Sequence, residues 1–242
     1  MKKKKINLIK NITYVYFFFI FLNNYTIDIK LIFSLLQEKK VRGFLNVIAL
    51  CEGTKKKSSH KFIDNLPSLN EYMVSFVNAE KITNLEKYPN KLFCKDLRHG
   101  RACASAAGRY QFIKNTWHYL NKNIKPNQVY EKNKELFENY FEKIPFLYQK
   151  NIVNFYKTPT DLIKFKFGPF WQDFYAIVLL LQIDAIKDIL NNNYQALIQK
   201  TAKIWSTLPK DKNGLSFYES NINHAQKHQY VLNLCNKYIK NN

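Results

Sequence analysis

"VRGFLNVIALCEGT", residues 41–54, carries apolar residues at helical spacing up to an acid and a glycine. Val41, Phe44, Leu45 and Ile48 share one stripe, which predicts a helix lying against a core, and Gly53 supplies its stop. Leu45, Ile48 and Glu52 fall at i, i+3 and i+7, so the acid sits on the same stripe. The carbonyl end of a helix carries partial negative charge and disfavours another anion there. Burial against apolar neighbours acts in the same direction. Together they keep a carboxyl group protonated near neutral pH, the state a general acid needs. Position alone also fits an ordinary solvated glutamate at a frayed helix end.

Further along, "ASAAGRYQFIKNTW", residues 104–117, places a glycine before three polar-tipped side chains in a chain with only 6 glycines. A helix is expected from near Gly108, with Tyr110, Ile113, Trp117 and Leu120 on its buried stripe. The segment between these two stretches is irregular. Within it "YMVSFV" reads as a short strand, and "EKYPNKLF" as a turn followed by extended chain. Residues 121–166 are helix-permissive and broken at Pro126, Pro145 and Pro159. "WQDFYAIVLLLQIDAIKDIL" predicts a buried helix that bends or breaks before Asp184. Asn191–Asn193 make a turn, "YQALIQKTAKIW" is a helix ended by Pro209, and an amphipathic helix runs from Ser220 to Ile239. The fold class is therefore α+β, mainly α, with a small β-containing lobe and an N-terminal hydrophobic helix. No internal repeat is visible.

The length of 242 residues suits one ordinary domain with an extension, or two small ones, and the 46% hydrophobic content excludes global disorder. A formal charge of +20 points to an anionic partner such as nucleic acid, a membrane surface or a cell-wall polymer. It equally fits the Lys- and Asn-rich composition that an AT-rich genome produces. Cys51, Cys94, Cys103 and Cys235 form no CxxC pair, which argues against zinc. Cys94 and Cys103 are close enough for a disulfide in an oxidising compartment, although free thiols are slightly favoured. His224 and His228 stand at i, i+4, but with no glutamate after the first they read as a polar helix face. No metal is expected. Residues 1–38 begin with a basic cluster followed by an apolar run from Ile12 to Leu22, the grammar of an export signal or membrane anchor.

Five pieces, taken in order, resemble the lambda-phage endolysin family, peptidoglycan lytic transglycosylases on a lysozyme-like fold. They are "FLNVIALCEGT", "ITNLEKYPNKLF", "ASAAGRYQFIKNTW", "QDFYAIVLL", and "IWSTLP" followed by "GLSFY". The resemblance implies a catalytic domain over 39–242 with Glu52, in "EGT", as catalytic acid. It implies Gln111 as a substrate-binding glutamine, with Tyr110, Thr54, Tyr72 and Ser105 as further substrate contacts. Gly108 would let the backbone approach a sugar or the catalytic helix. Each secondary residue has a plainer reading. Tyr110 and Tyr72 fit core packing, Thr54 caps the turn after the acid, and Ser105 caps the following helix. Arg109 fits a structural salt bridge better than a substrate contact. Trp205 reads as core, and Gln172 with Asp173 as a helix start.

The implied reaction cleaves the β-1,4 bond between N-acetylmuramic acid and N-acetylglucosamine without water. Glu52 protonates the glycosidic oxygen, the muramyl C6 hydroxyl attacks C1, and the same residue takes up the hydroxyl proton to leave a 1,6-anhydro end. Hydrolysis normally uses two carboxyl groups, and Asp64, Glu71 and Glu80 stand in no recognisable catalytic setting. The expected partner is the glycan strand, with no cofactor, no specific nucleic acid and a monomeric state. Residues 1–38 would place the chain in the periplasm, anchored to the inner membrane or secreted. Residues 121–166 exceed the family's connection and read as an insertion. The rivals are a muramidase of the same fold and a non-catalytic basic protein that binds glycan or nucleic acid.

Overall fold

The structure, a computed structural model, describes residues 28–55, 66–97, 100–217 and 225–240. The expected export or anchor segment through residue 27 lies outside them, as do Asp64 and His224. A first helix, Ile29–Leu35, starts where the Asp28 carboxylate accepts from the Leu31 N–H at 3.1 Å. Ile32, Phe33, Leu35 and Leu36 are buried in the same core as the rest of the chain. The folded body therefore takes in part of the segment assigned to residues 1–38. No helix among the described residues is long and apolar enough to cross a membrane.

The expected helix of the opening stretch is Lys39–Cys51, buried at Val41 and from Gly43 through Cys51. Its close crossing with the C-terminal end requires Gly43, since a Cβ there would stand 2.0 Å from the Tyr238 carbonyl oxygen. The helix ends as Gly53 permits. With Glu52 as C-cap and Gly53 at φ +71°, Gly53 N–H donates to Leu50 at 3.2 Å and Thr54 N–H to Ala49 at 3.0 Å. This paired closure satisfies carbonyls that the helix leaves open.

The small lobe follows. "YMVSFV" does not become a strand; it ends the Leu69–Tyr72 helix, makes isolated bridges from Val74 to Lys81 and from Ser75 to Ala107, and turns through Phe76–Asn78. Its backbone hydrogen bonds go to separate segments, so no continuous ladder forms. The extended chain after "EKYPN" is strand β1, Phe93–Leu97, paired antiparallel with β2, Gly100–Ala104. Cys94 and Cys103 face each other in that register and form a disulfide, against the slight preference for free thiols.

The helix expected from Gly108 starts only at Lys114 and runs to Ile124. Gly108 at φ +78° and Gln111 at φ +49° lie in the left-handed region, which a right-handed helix cannot contain. Ala107 N–H instead donates to Phe112 at 3.0 Å, closing a tight turn over "GRYQ". Residues 121–166 form the helices Pro126–Lys132, Lys134–Leu147, Lys150–Val153 and Asp161–Lys164. Pro145 lies inside the second of these rather than breaking it; the helix ends two residues later. Phe137, Tyr140, Ile144, Tyr148, Ile152 and Leu162 from this region enter the common core.

At the centre is Pro169–Gln182, buried on nearly every face as its apolar run demands. It stops before Asp184, which has φ +52°. The helices Ile186–Leu190, Tyr194–Thr201 and His228–Cys235 complete the body, the last passing into a wider turn over Asn236–Lys240. The architecture is a mainly helical body with a small two-stranded lobe.

Candidate active site

Glu52 occupies the C-cap of Lys39–Cys51 and is partly buried. Burial pushes its carboxyl group up from the ordinary 4.5 to about 7, opposed by a hydrogen bond from Thr207. The Thr207 hydroxyl donates to Glu52 Oε1 at 2.5 Å. A donor favours the ionised carboxylate and burial favours the protonated acid, so the group is poised near neutrality. That poise suits one residue acting first as acid and then as base. Thr207 belongs to "IWSTLP", whose only singled-out member in the sequence reading was Trp205.

The EGT and GRYQ turns meet directly. The Thr54 hydroxyl bridges the Ala49 carbonyl at 3.0 Å and the Arg109 carbonyl at 2.6 Å. Trp205 Nε1 donates to the Tyr110 carbonyl at 3.1 Å, drawing the "IWSTLP" segment onto the same turn. Three distant segments thus converge at Glu52. Thr54 is buried with its hydroxyl engaged in this brace, so it positions the two turns, and it also lines the groove that opens at Gly53.

Gln111 is only half-buried, and its side-chain amide donates to the Gly108 carbonyl at 2.8 Å. An open groove of about 720 Å³ begins at Gly53, beside Glu52, and runs past Glu71 and Met73 to Glu80 and Lys81. Neither Glu52 nor Gln111 is among the residues that line it, so this groove by itself does not set the two side chains opposite each other.

Tyr110 and Tyr72 are core residues. Both are buried, and both hydroxyls donate to the buried Asp173, at 2.6 Å and 2.8 Å. Tyr148 donates to the same carboxylate at 2.9 Å. Burial, the leading cause, holds all three phenols far above their ordinary range, so they stay protonated donors. Neither Tyr110 nor Tyr72 has a face left for a glycan. Ser105 caps a helix, since its Oγ accepts from Lys114 N–H, the first residue of Lys114–Ile124, at 3.0 Å.

Arg109 is the structural cation the sequence suggested. Its Nε meets Glu71 Oε2 at 3.0 Å, and its guanidinium also donates to Tyr110 at 2.8 Å, Tyr72 at 3.3 Å and Asn46. Burial disfavours its charge, but Tyr110, Tyr72, Glu71 and Asp173 more than offset that and hold it firmly ionised. Gln172 lies in the first turn of the helix Pro169–Gln182, as expected of a helix start, and is also a buried clip. It accepts from Arg109 N–H at 2.8 Å and donates to the Tyr72 and Phe167 carbonyls at 3.1 and 2.7 Å. A Cβ on Gly108 would stand 2.2 Å from the Gln172 Oε1. The glycine therefore admits this amide, not a sugar. Glu71 is fully engaged, with Arg109, with Lys55 at 3.4 Å and with Ser68 N–H at 3.1 Å. Among the described residues no cluster of three or more His, Cys, Asp or Glu is placed to hold a metal ion.

The model of the Endolysin family matches residues 147–236, which include Thr207 and the Asp173-bearing helix. Among solved structures, bacteriophage lambda lysozyme complexed with a chitohexasaccharide is similar, with a TM-score of 0.53 and 18% identity, covering 83% of this chain and 94% of that one. No curated protein matches the sequence. The fold is that of lambda lysozyme, and the resemblance to the endolysin family now rests on a family model as well as on short motifs.

Proposed function

We propose that this chain degrades peptidoglycan as a lytic transglycosylase, with Glu52 as its acid and base. The observation that carries the reading is a single carboxyl group, poised at about 7 and next in the chain to Gly53, which lines an open groove, on an endolysin-like fold. The structural relative was solved with a chitohexasaccharide, a β-linked amino-sugar chain, which supports a glycan as the ligand here. Protonated Glu52 donates to the glycosidic oxygen as the C1–O bond breaks. The muramyl C6 hydroxyl then bonds to C1 and gives its proton to the ionised Glu52, restoring the acid. Because the nucleophile belongs to the substrate, proximity replaces a carboxylate that would activate water.

The transglycosylase form is favoured over hydrolysis by the state of the groove carboxylates. Glu71 is tied to Arg109 and Lys55, and Glu80 is exposed and paired with Lys91. Neither is held ready as the second carboxyl group that glycoside hydrolysis normally uses. Mass spectrometry of muropeptides released by the protein tests this: 1,6-anhydro ends are expected, whereas reducing muramic acid ends would establish a muramidase. Loss of lysis in Glu52→Gln with the fold intact is expected, and full lysis by that variant would remove Glu52 from the chemistry. Export to the periplasm through residues 1–38, with or without membrane anchoring, completes the proposal.

A further inference from the structure

A second cavity, of about 460 Å³, lies on the far side of Glu80 and Lys81, the two residues it shares with the groove beside Glu52. Its rim carries Lys81, Lys87, Lys91 and Lys166, with Glu80 as the one carboxylate. Glu80 is already neutralised by its ion pair with Lys91. Three lysines are therefore left without a carboxylate in the cavity, and Lys166 is partly buried. Its floor is rigid. Tyr88 stacks on Trp117 at 5.8 Å between ring centroids, and Phe167 packs edge-on against both. Asn84, Asn90, Asn121 and His118 add amide and imidazole groups around the same space.

A concave site with an apolar floor, convergent amides and uncompensated positive charge fits a short anionic ligand. Scattered surface lysines would give no such concavity. We infer that this pocket binds the carboxylate-bearing peptide stem of the glycan substrate, directing peptide-substituted strands past Lys81 into the groove beside Glu52. The inference rests on the peptidoglycan reading and adds the substrate's substituent to it. The occupant is argued from continuity. A strand lying in the groove carries its peptides on the muramyl lactyl group, and the adjoining cavity offers three lysines with no carboxylate beside them in its lining. Its volume lies within the usual range for a small-ligand site.

The test measures binding by the full-length Glu52→Gln protein, so that no turnover intervenes, to two soluble glycans: one with intact peptide stems and one stripped of them by an amidase. The stemmed glycan is expected to bind about tenfold more tightly at low salt, as two or three partly exposed charge pairs allow. Raising the salt should close the gap. Lys87→Glu combined with Lys166→Glu should abolish the preference and leave binding of the stripped glycan unchanged. Equal binding of the two glycans overturns the inference, as does a charge reversal that weakens both equally. A wall phosphate polymer that displaces the stemmed glycan better than free stem peptide does would assign the pocket to phosphate and overturn it too. Binding of the stripped glycan alone leaves the catalytic reading standing while this one falls, whereas binding of neither overturns both.

Discussion

The Thr207 hydroxyl lies 2.5 Å from Glu52 Oε1, joining residues 155 positions apart in the chain. This contact opposes the larger effect of burial on the carboxyl group that caps the C-terminal end of the Lys39–Cys51 helix, and the pH response of the protein follows from the two together. With Glu52 titrating at about 7, the protonated acid is depleted above neutrality, and kcat/KM on peptidoglycan should fall with an alkaline limb near pH 7. Thr207→Val removes a donor that favours the carboxylate. The limb should then move up by roughly one pH unit, as loss of a hydrogen bond to a charged group worth about 1.5 kcal/mol implies. A pH–rate profile that does not move with this substitution would separate Thr207 from the titration.

Stability should carry the same signature with the opposite benefit. Glu52 holds its proton up to about 7 in the fold but only to 4.5 as an unperturbed group. Between those values the folded state binds more protons than the unfolded one, so stability falls as pH rises through the window. Glu52→Gln abolishes that loss. Denaturant titrations should find the variant more stable than the parent above pH 7 by on the order of 1–3 kcal/mol, with little difference near pH 4.

Gly108 should be among the least replaceable residues. It combines φ +78° with a 2.2 Å approach of its virtual Cβ to Gln172. Gly108→Ala must distort the turn or expel a buried amide that satisfies three backbone groups. A loss of about 2–5 kcal/mol in unfolding free energy is expected, from left-handed strain and overpacking together. Gly53→Ala at φ +71°, where no heavy atom lies within 4 Å of the added carbon, should cost only the strain, about 1–2 kcal/mol.

Arg109→Met leaves Glu71 buried without its closest guanidinium partner and withdraws a donor from two phenols. Removing one member of a buried ion pair costs about 3–5 kcal/mol, and chemical unfolding should report that loss. Lytic activity of the remaining folded fraction should persist, since Arg109 is closed off from the groove.

The Cys94–Cys103 disulfide closes a loop with a sequence separation of 9. A loop of that size is worth about 2–3 kcal/mol in the chain-entropy account. Reduction, or Cys94→Ser with Cys103→Ser, should lower the thermal midpoint and raise amide exchange first in the β1–β2 hairpin. Exchange that rises uniformly across the helical body would contradict a local role.

The sequence by itself determined the features that depend on near neighbours. Periodicity across Val41–Ile48 specified the helix, Gly53 its stop, and the shared stripe of Leu45, Ile48 and Glu52 placed the acid where burial raises it. The break before Asp184 and the mainly helical class with a small β lobe were legible for the same local reason. The Gly108–Gln111 turn was not, because an apolar stripe from Tyr110 to Leu120 mimics a helix, and long-range bonds to Val74, Gln172 and Trp205 add to the local ones that hold the left-handed turn. Tertiary structure alone turned Tyr72, Tyr110 and Tyr148 onto Asp173, gave Glu52 its Thr207 donor and brought Gln172 onto Arg109. The physical reason is common to all three. A buried polar group must find a partner wherever the fold brings one, and spacing along the chain does not encode which one arrives.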